Sequence, residues 1–213
     1  MNKGKFISFE GIEGVGKSTT IKKIQNYLQE KGIEVCCTRE PGGTEFGESI
    51  RNILLDNNTN ITAESESLLL FSIRNQHINE IIIPSLDKGT WVLCDRYIDA
   101  SIAYQGYGKK VSLEKINLLI ENFTEKVIPD LTIFFDLSYE LAMKRFPKTK
   151  SKDRFENLSD KFFDDVYNGY LKIASSNANR VKKVDSKLPQ EEVCIQIINE
   201  VSFDISKGQI VGL

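Results

Sequence analysis

The sequence has few of the residues that are typical of disulfide-linked, metal-binding or membrane-spanning proteins. Its 213 residues include 4 cysteines, 5 prolines and 1 histidine. No two cysteines have the C-x₂-C spacing of a zinc site, so we expect reduced and buried thiols. The longest apolar stretch, near residues 81–83, falls far short of the ~20 residues of a membrane span. The N-terminus is too short and too polar for a signal peptide. These features predict a cytoplasmic protein with no membrane partner.

Charge is also nearly balanced. The chain has 28 lysines and arginines against 30 acidic residues, for a net charge of −2. This balance does not favour a polyanion, so no nucleic-acid partner is expected. The one basic cluster lies at residues 144–154. Hydrophobic residues make up 40% of the chain, and the length suits a single domain over residues 1–213.

Strand-like and helix-like runs alternate along the chain. The predicted strands lie at residues 5–9, 33–38, 91–94, 131–137 and 180–184. The predicted helices lie at residues 17–31, 47–55, 63–86, 112–126, 139–146, 154–174 and 190–201. Several strands are apolar throughout, which is typical of a parallel sheet covered on both faces. The pattern predicts an α/β three-layer sandwich with a five-stranded parallel sheet and helices on both faces.

A phosphate-binding loop follows the first predicted strand. Residues 11–18 match G-x-x-x-x-G-K-[ST], a pattern whose backbone N–H groups surround phosphate oxygens. Lys17 is expected to reach the β- and γ-phosphates, and the Ser18 hydroxyl to ligate Mg²⁺. The predicted ATP-binding residues are Gly11, Ile12, Glu13, Gly14, Val15, Gly16, Lys17, Ser18 and Thr19.

The loop alone leaves several reactions open. The chain has no N-K-x-D and no D-x-x-G motif, so a GTPase switch is not favoured. A small kinase fits the length best. Its acceptor could be a nucleoside monophosphate, or a deoxynucleoside hydroxyl with Glu10 as general base. A slow nucleotide-binding switch is a third alternative.

Further motifs follow the phosphate loop in order. They occupy residues 9–19, 38–44, 51–55, 70–77, 95–106 and 153–156. Taken together they resemble the thymidylate kinase family over most of the chain. The resemblance implies transfer of the γ-phosphoryl group of ATP to dTMP, giving dTDP and ADP for dTTP synthesis. It also implies Mg²⁺ as cofactor and a homodimer, which the apolar helix at residues 68–83 could form.

The resemblance assigns an acceptor site. In it Arg51 holds the phosphate, Phe71 stacks on thymine and Arg74 bonds the O4 edge. The pattern alone favours a core phenylalanine and a solvated arginine, and the resemblance reverses that interpretation. Tyr104 lies at C2′, where it blocks a ribose hydroxyl. The full set of predicted dTMP-binding residues is Glu40, Pro41, Arg51, Phe71, Arg74, Arg96, Ser101, Tyr104 and Gln105.

The catalytic groups come from strand ends and from a lid segment at residues 144–156. Asp95 ends an apolar strand like an acid that handles Mg²⁺, and Arg96 is expected to bridge the two phosphates. The family has a carboxylate at Glu10 near the acceptor's 3′-hydroxyl. The resemblance implies a catalytic arginine either in the phosphate loop or in the lid, and because the loop position is Gly14, the lid is expected to supply the cation. The candidates are Arg154 and Arg145, with Lys148 behind them.

Overall fold

Five parallel strands form one sheet in the order β2-β3-β1-β4-β5. The computed structural model describes residues 3–145 and 153–202, and the backbone alone of residues 203–210. The strands are β1 (Phe6–Glu10), β2 (Val35–Arg39), β3 (Trp91–Asp95), β4 (Leu131–Asp136) and β5 (Val181–Asp185). Every neighbouring pair runs parallel. The five predicted strands and their parallel arrangement are therefore confirmed.

Helices connect the strands. They are α1 (Lys17–Glu30), α2 (Glu45–Leu55), α3 (Ala63–His77), α4 (Ile83–Asp87), α5 (Ile98–Ser101), α6 (Leu113–Phe123), α7 (Tyr139–Arg145), α8 (Asp160–Ser176) and α9 (Gln190–Ile210). A π-helical segment, Ile78–Ile82, joins α3 to α4, and a second, Ile102–Gly108, continues α5. Among the described residues, no helix has the length and apolar character of a membrane span.

Two helix predictions were inexact in their bounds, and one helical stretch was missed. The single helix expected at residues 63–86 is interrupted by the first π-helical segment. The helix expected from residue 154 begins at Asp160, because the Asp153 carboxylate accepts the N–H groups of Phe155 and Glu156 and holds a turn there. The Ile98–Gly108 helical stretch was not anticipated.

Two apolar layers cover the sheet. Ile7 and Phe9 of β1 belong to a large buried cluster that includes Ile24 of α1. Phe6 belongs to a second cluster, which includes Ile82 from the first π-helical segment. Since alternate strand residues face opposite sides, both faces of β1 are covered, and the carboxyl edge of the sheet is left for polar residues.

The four cysteines are free, as expected. Cys94 and Cys194 are buried, but Cys36 is partly exposed and Cys37 is exposed. The expectation of burial was wrong for Cys37 because β2 is an edge strand of the sheet.

A buried acid sits at the carboxyl end of β1. Glu10 is fully buried; one carboxylate oxygen accepts the N–H of Tyr97 at 2.7 Å, and the other accepts the hydroxyl of Tyr170 at 2.8 Å. Burial, together with the nearby carboxylate of Asp99, raises the pKa of Glu10 to about 8. Asp99 is itself held by both terminal nitrogens of Arg180, at 2.7 and 2.9 Å.

The pKa of Glu10 predicts a pH-dependent stability. An acid whose pKa is raised on folding destabilises the fold as pH rises from its unfolded pKa, near 4.5, through its folded pKa, near 8. Between pH 5 and 9 the wild-type free energy of unfolding should therefore fall more than that of Glu10→Gln, by on the order of a few kcal/mol. Urea denaturation at several pH values measures the difference.

The control is Glu140→Gln. Glu140 is exposed, and the hydrogen bond from Lys144 lowers its pKa, so its titration lies below this pH window. Its pH slope should match that of the wild type. If the free energy of unfolding changes with pH equally in the wild type and in Glu10→Gln, the raised pKa of Glu10 is contradicted.

Candidate active site

The phosphate loop joins β1 to α1 at the centre of the sheet. Lys17 is buried, and its amino group donates to the carbonyl oxygens of Gly11 and Ile12 at 3.0 and 2.9 Å. Burial lowers the pKa of Lys17. Gly16 begins α1 in the left-handed conformation with φ of 96°. The loop thus leads into the positive end of a helix, an arrangement that binds phosphate.

Gly14 cannot carry a side chain in this arrangement. Its φ is 81°, and a Cβ atom there would lie 2.9 Å from the carbonyl oxygen of Ala142 in α7. The loop therefore packs directly on α7. This contact gives a physical reason for the absence of a loop cation, which the sequence indicated.

Ser18 and Asp95 form an oxygen-rich corner beside the loop. The Ser18 hydroxyl donates to Asp95 Oδ2 at 3.4 Å, and Lys17 Nζ lies 4.0 Å from Oδ1. Asp95 Oδ1 is buried without a hydrogen-bond partner. A hydroxyl and a carboxylate suit Mg²⁺, which is commonly bound through one or two carboxylates plus substrate phosphates. In the described ranges, no cluster of three His, Cys, Asp or Glu side chains competes for a metal.

Arg96 connects β3 to the phosphate loop. Its backbone has a φ of 71°, which turns its side chain back across the end of the sheet. One terminal nitrogen donates to Gly11 O at 2.6 Å and the other to Glu13 Oε1 at 2.8 Å. The guanidinium carbon lies 4.9 Å from the centre of the Tyr104 ring. Arg96 therefore stands between the loop and the cavity beside it.

A cavity opens beside the loop at the carboxyl edge of the sheet. Glu13, Ser18 and Asp95 line its loop side. Of the nine predicted acceptor residues, eight line it: Glu40, Pro41, Arg51, Arg74, Arg96, Ser101, Tyr104 and Gln105. The structure thus brings residues from six of the sequence motifs around one space.

Phe71 is the ninth predicted acceptor residue and does not line the cavity. It is buried among Val111 and Ile116, beneath Arg74, whose guanidinium carbon lies 4.6 Å from the centre of the Phe71 ring. Its ring therefore supports Arg74 in this structure. Stacking of Phe71 on thymine stays a prediction.

Arg74 is held rigidly with one donor to spare. Its Nε donates to Glu40 Oε2 at 2.7 Å and its Nη2 to Tyr97 O at 3.1 Å. Its Nη1 is buried without a partner. Glu40 is fixed in turn by His77 Nδ1 at 3.1 Å, whose other ring nitrogen lies 2.7 Å from Thr38 Oγ1. Both ring nitrogens of His77 therefore connect its neighbours, Glu40 and Thr38.

Arg51 enters the cavity from α2. One terminal nitrogen donates to the carbonyl oxygen of Pro41 at 2.6 Å. Arg39 also lines the cavity and pairs with Glu48 at 2.9 Å. Arg51, Arg74 and Arg96 give the cavity a cationic lining suited to a phosphorylated ligand.

The two predicted lid arginines point elsewhere. Arg145 donates to the carbonyl oxygens of Ser186 and Lys187, at 2.7 and 3.3 Å. Arg154 donates through Nε to Leu54 O at 2.7 Å and through Nη2 to the Glu66 carboxylate. Neither lines the cavity, although Asp153, Phe155 and Glu156 do. Residues 146–152 of the predicted lid, with Lys148, lie outside the described residues.

Sequence reasoning missed two buried groups next to the site. Glu66 is fully buried and accepts hydrogen bonds from Gln105, Lys109 and Arg154. The Tyr170 hydroxyl donates to Glu10 and lies 3.3 Å from Arg96 Nη1. An acid two residues before the apolar run at residues 68–71 was the one available signal for Glu66.

Comparison with known proteins identifies the family. The family model described as "Thymidylate kinase" matches residues 9–197. The thymidylate kinase of Nitrosomonas europaea is 41% identical over 215 residues, covering 100% of both chains. That of Ruthia magnifica subsp. Calyptogena magnifica is 46% identical over 198 residues, covering 92% of this chain and 97% of the relative. A crystal structure of thymidylate kinase from Ehrlichia chaffeensis superposes with a TM-score of 0.78 at 32% identity, covering 93% of this chain and 99% of that one. The chain belongs to the thymidylate kinase family.

Proposed function

We propose that this protein transfers the γ-phosphoryl group of ATP to dTMP, giving dTDP and ADP, and so supplies dTTP synthesis. The observation that carries the proposal is the shared position of Arg96. It bonds the phosphate loop through Gly11 and Glu13, and it also lines the cavity that holds Arg51 and Arg74. A donor phosphate and an acceptor phosphate would meet at this side chain.

The donor site is the phosphate loop. An ATP triphosphate would replace the carbonyl oxygens of Gly11 and Ile12 as partners of Lys17. Ser18 and Asp95 would hold Mg²⁺ together with the phosphates. When bound, Mg²⁺ neutralises charge on the β- and γ-phosphoryl oxygens. Lys17 and Arg96 add fixed positive charge from the protein.

The acceptor site is the cavity. Arg51 and Arg96 would hold the dTMP phosphate, and the free Nη1 donor of Arg74 would bond a carbonyl of the base. Ser101 and Gln105 line the same wall, and Tyr104 would lie against the sugar. Positioning and charge neutralisation then account for the catalysis.

The buried position of Glu10 favours a phosphate acceptor over a hydroxyl. A deoxynucleoside kinase needs a general base near its acceptor hydroxyl. Glu10, the candidate base, does not line the cavity, and both its oxygens already accept hydrogen bonds. A phosphate acceptor is already an anion and needs no such base. A role for Glu10 at the acceptor's 3′-hydroxyl stays a prediction.

The catalytic role predicted for Arg145 and Arg154 would require both side chains to change conformation. Each would have to leave its present partners, which are backbone carbonyls for Arg145 and Leu54 and Glu66 for Arg154. A cytoplasmic location is likewise a proposal, consistent with the substrates.

A homodimer is part of the proposal. Leu68 on α3 is 58% exposed, and Leu118 and Phe123 on the adjoining α6 are 52% and 48% exposed. Large apolar side chains grouped on neighbouring helices are typical of protein interfaces. A second copy of this chain would cover them.

The proposed reaction predicts a specific pattern of acceptors. With Mg·ATP, ADP formation should be fastest with dTMP, weaker with dUMP, and near background with AMP, CMP or thymidine. The reason is that the cavity offers arginines for a phosphate, which thymidine lacks, and a fixed Arg74 donor for the O4 carbonyl, which AMP and CMP lack. A coupled assay for ADP measures each rate. Turnover with thymidine but not with dTMP would refute the proposal, and binding without turnover would favour a nucleotide switch.

Arg96→Lys should lower kcat about 100-fold, since removal of one transition-state donor typically costs that much. Lysine keeps the charge but cannot bond Gly11, Glu13 and a phosphate in one plane. The thermal melting temperature should stay within a few degrees of the wild type. Arg180→Lys serves as the matched control, because Arg180 pairs with Asp99 and does not line the cavity. An equal loss of kcat in both variants would exclude a special role for Arg96.

If the protein is a homodimer, size-exclusion chromatography with light scattering should give the wild type a molar mass of two chains. Leu68→Glu combined with Leu118→Glu should shift it toward one chain, because buried carboxylates would face each other across the interface. Ile195→Glu is the control, since Ile195 on α9 is 57% exposed and lies on a different helix. A single-chain mass for the wild type would overturn the assembly.

A further inference from the structure

A second buried carboxylate lies beside the acceptor cavity. Glu66 on α3 is fully buried. Its Oε1 accepts the Gln105 amide at 3.0 Å. Its Oε2 accepts Lys109 Nζ at 2.6 Å and also accepts Arg154 Nη2. One side chain therefore joins α3 to the second π-helical segment and to the turn at residues 153–157.

Arg154 docks that turn onto α2. Besides Glu66, its Nε donates to Leu54 O at 2.7 Å, and its backbone N–H donates to Leu55 O at 3.2 Å. The neighbouring Phe155 ring lies 4.7 Å from the Arg154 guanidinium and 4.8 Å from Lys109 Nζ. Phe155 lines the cavity. Lys109 and Arg154, the two cations that bond Glu66, therefore also hold one wall of the cavity.

The charge balance of this cluster depends on Glu66. Lys109 and Arg154 are both mostly buried and share one carboxylate oxygen. Burial lowers the pKa of Lys109, proximity to Arg154 lowers it further, and Glu66 opposes both effects. Without the charge of Glu66, two cations would face each other in a desolvated space, and the turn would have no anion to hold it.

We propose that Glu66 is a positioning residue for the acceptor site, a role that rests on the proposed function. Through Gln105 and Arg154 it fixes two walls of the cavity, and it touches no reacting atom. Arg154 acts in the same unit, as the partner of Glu66, and not as the cation that stabilises the transferred phosphoryl group.

Kinetic constants separate this role from catalysis. Glu66→Gln keeps the shape and can still accept from Gln105, but it lacks the charge. It should raise the KM for dTMP about tenfold while kcat and the KM for ATP stay within about twofold, since only acceptor binding is affected. Arg154→Ala should show the same split. A catalytic Arg154 would instead lower kcat about 100-fold with the KM for dTMP unchanged.

A double-mutant cycle tests whether the two residues form one unit. The variant with both Glu66→Gln and Arg154→Ala should have a KM for dTMP no higher than either single variant, because both changes remove the same contact. Glu64→Gln is the matched control on the same helix; Glu64 is exposed and lies 3.6 Å from Lys115. It should match the wild type in every constant.

The Kd for dTMP, measured by calorimetry, tests acceptor binding independently of the reaction. A weakened Kd in Glu66→Gln and Arg154→Ala supports the positioning role, and unchanged Kd and KM values overturn it. A lowered kcat in Arg154→Ala with dTMP binding intact also overturns it. If Glu66→Gln fails to fold, Arg154→Ala and Arg154→Lys decide the question. A wild type that binds dTMP without turning it over refutes the reaction alone, and the Kd values still decide the role of Glu66.

Discussion

The site depends on the backbone and side-chain bonds of one residue, Arg96. Its N–H donates to the carbonyl oxygen of Phe9 at 3.0 Å, so the turn after β3 is fastened to the end of β1. Its φ of 71° then directs the guanidinium over the phosphate loop, where it bonds Gly11 and Glu13. Because a left-handed backbone is uncommon outside glycine, this conformation must be held by the surrounding contacts. The phosphate loop and the adjoining cavity share a wall as a result.

Buried carboxylates hold the other walls. Glu10 accepts hydrogen bonds from Tyr97 and Tyr170. Glu40 accepts one from Arg74, and Glu66 accepts hydrogen bonds from three donors. In each case the donor and the acceptor belong to different elements of the fold. A buried acid, whether charged or protonated, is tolerated only when its polar atoms are hydrogen-bonded. Each of these acids therefore admits few alternative packings of its neighbours. Burying these acids costs free energy, but it fixes the orientation of the side chains that bond them. Arg74 is an example, because its Nη1 donor is held in place without a partner of its own.

The sequence predicted the parts of the molecule that local patterns encode. The strands follow apolar runs, and the phosphate loop follows glycine spacing, so both were found. The role of Glu66 was not, because its bonds to Gln105 and Arg154 span 39 and 88 residues. The inward packing of Phe71 beneath Arg74 depends on α6, which supplies Ile116. The sequence predicts a helix where the turn at Asp153 lies, because helical spacing does not reveal that the Asp153 carboxylate bonds the backbone of Phe155 and Glu156.

The close contact of Gly14 with α7 bears on where the catalytic charge comes from. Since Ala142 fills the space that a side chain at Gly14 would need, the loop cannot supply a cation there. Arg145 at the end of α7 is anchored on the loop after β5, and Arg154 is anchored on Leu54 and Glu66. Both described ends of the predicted lid thus have their arginines engaged in holding the fold. Within the described residues, Lys17 and Arg96 are the cations that contact the phosphate loop. Lys17 within the loop and Arg96 beside it therefore bring positive charge to the loop, although Gly14 carries none.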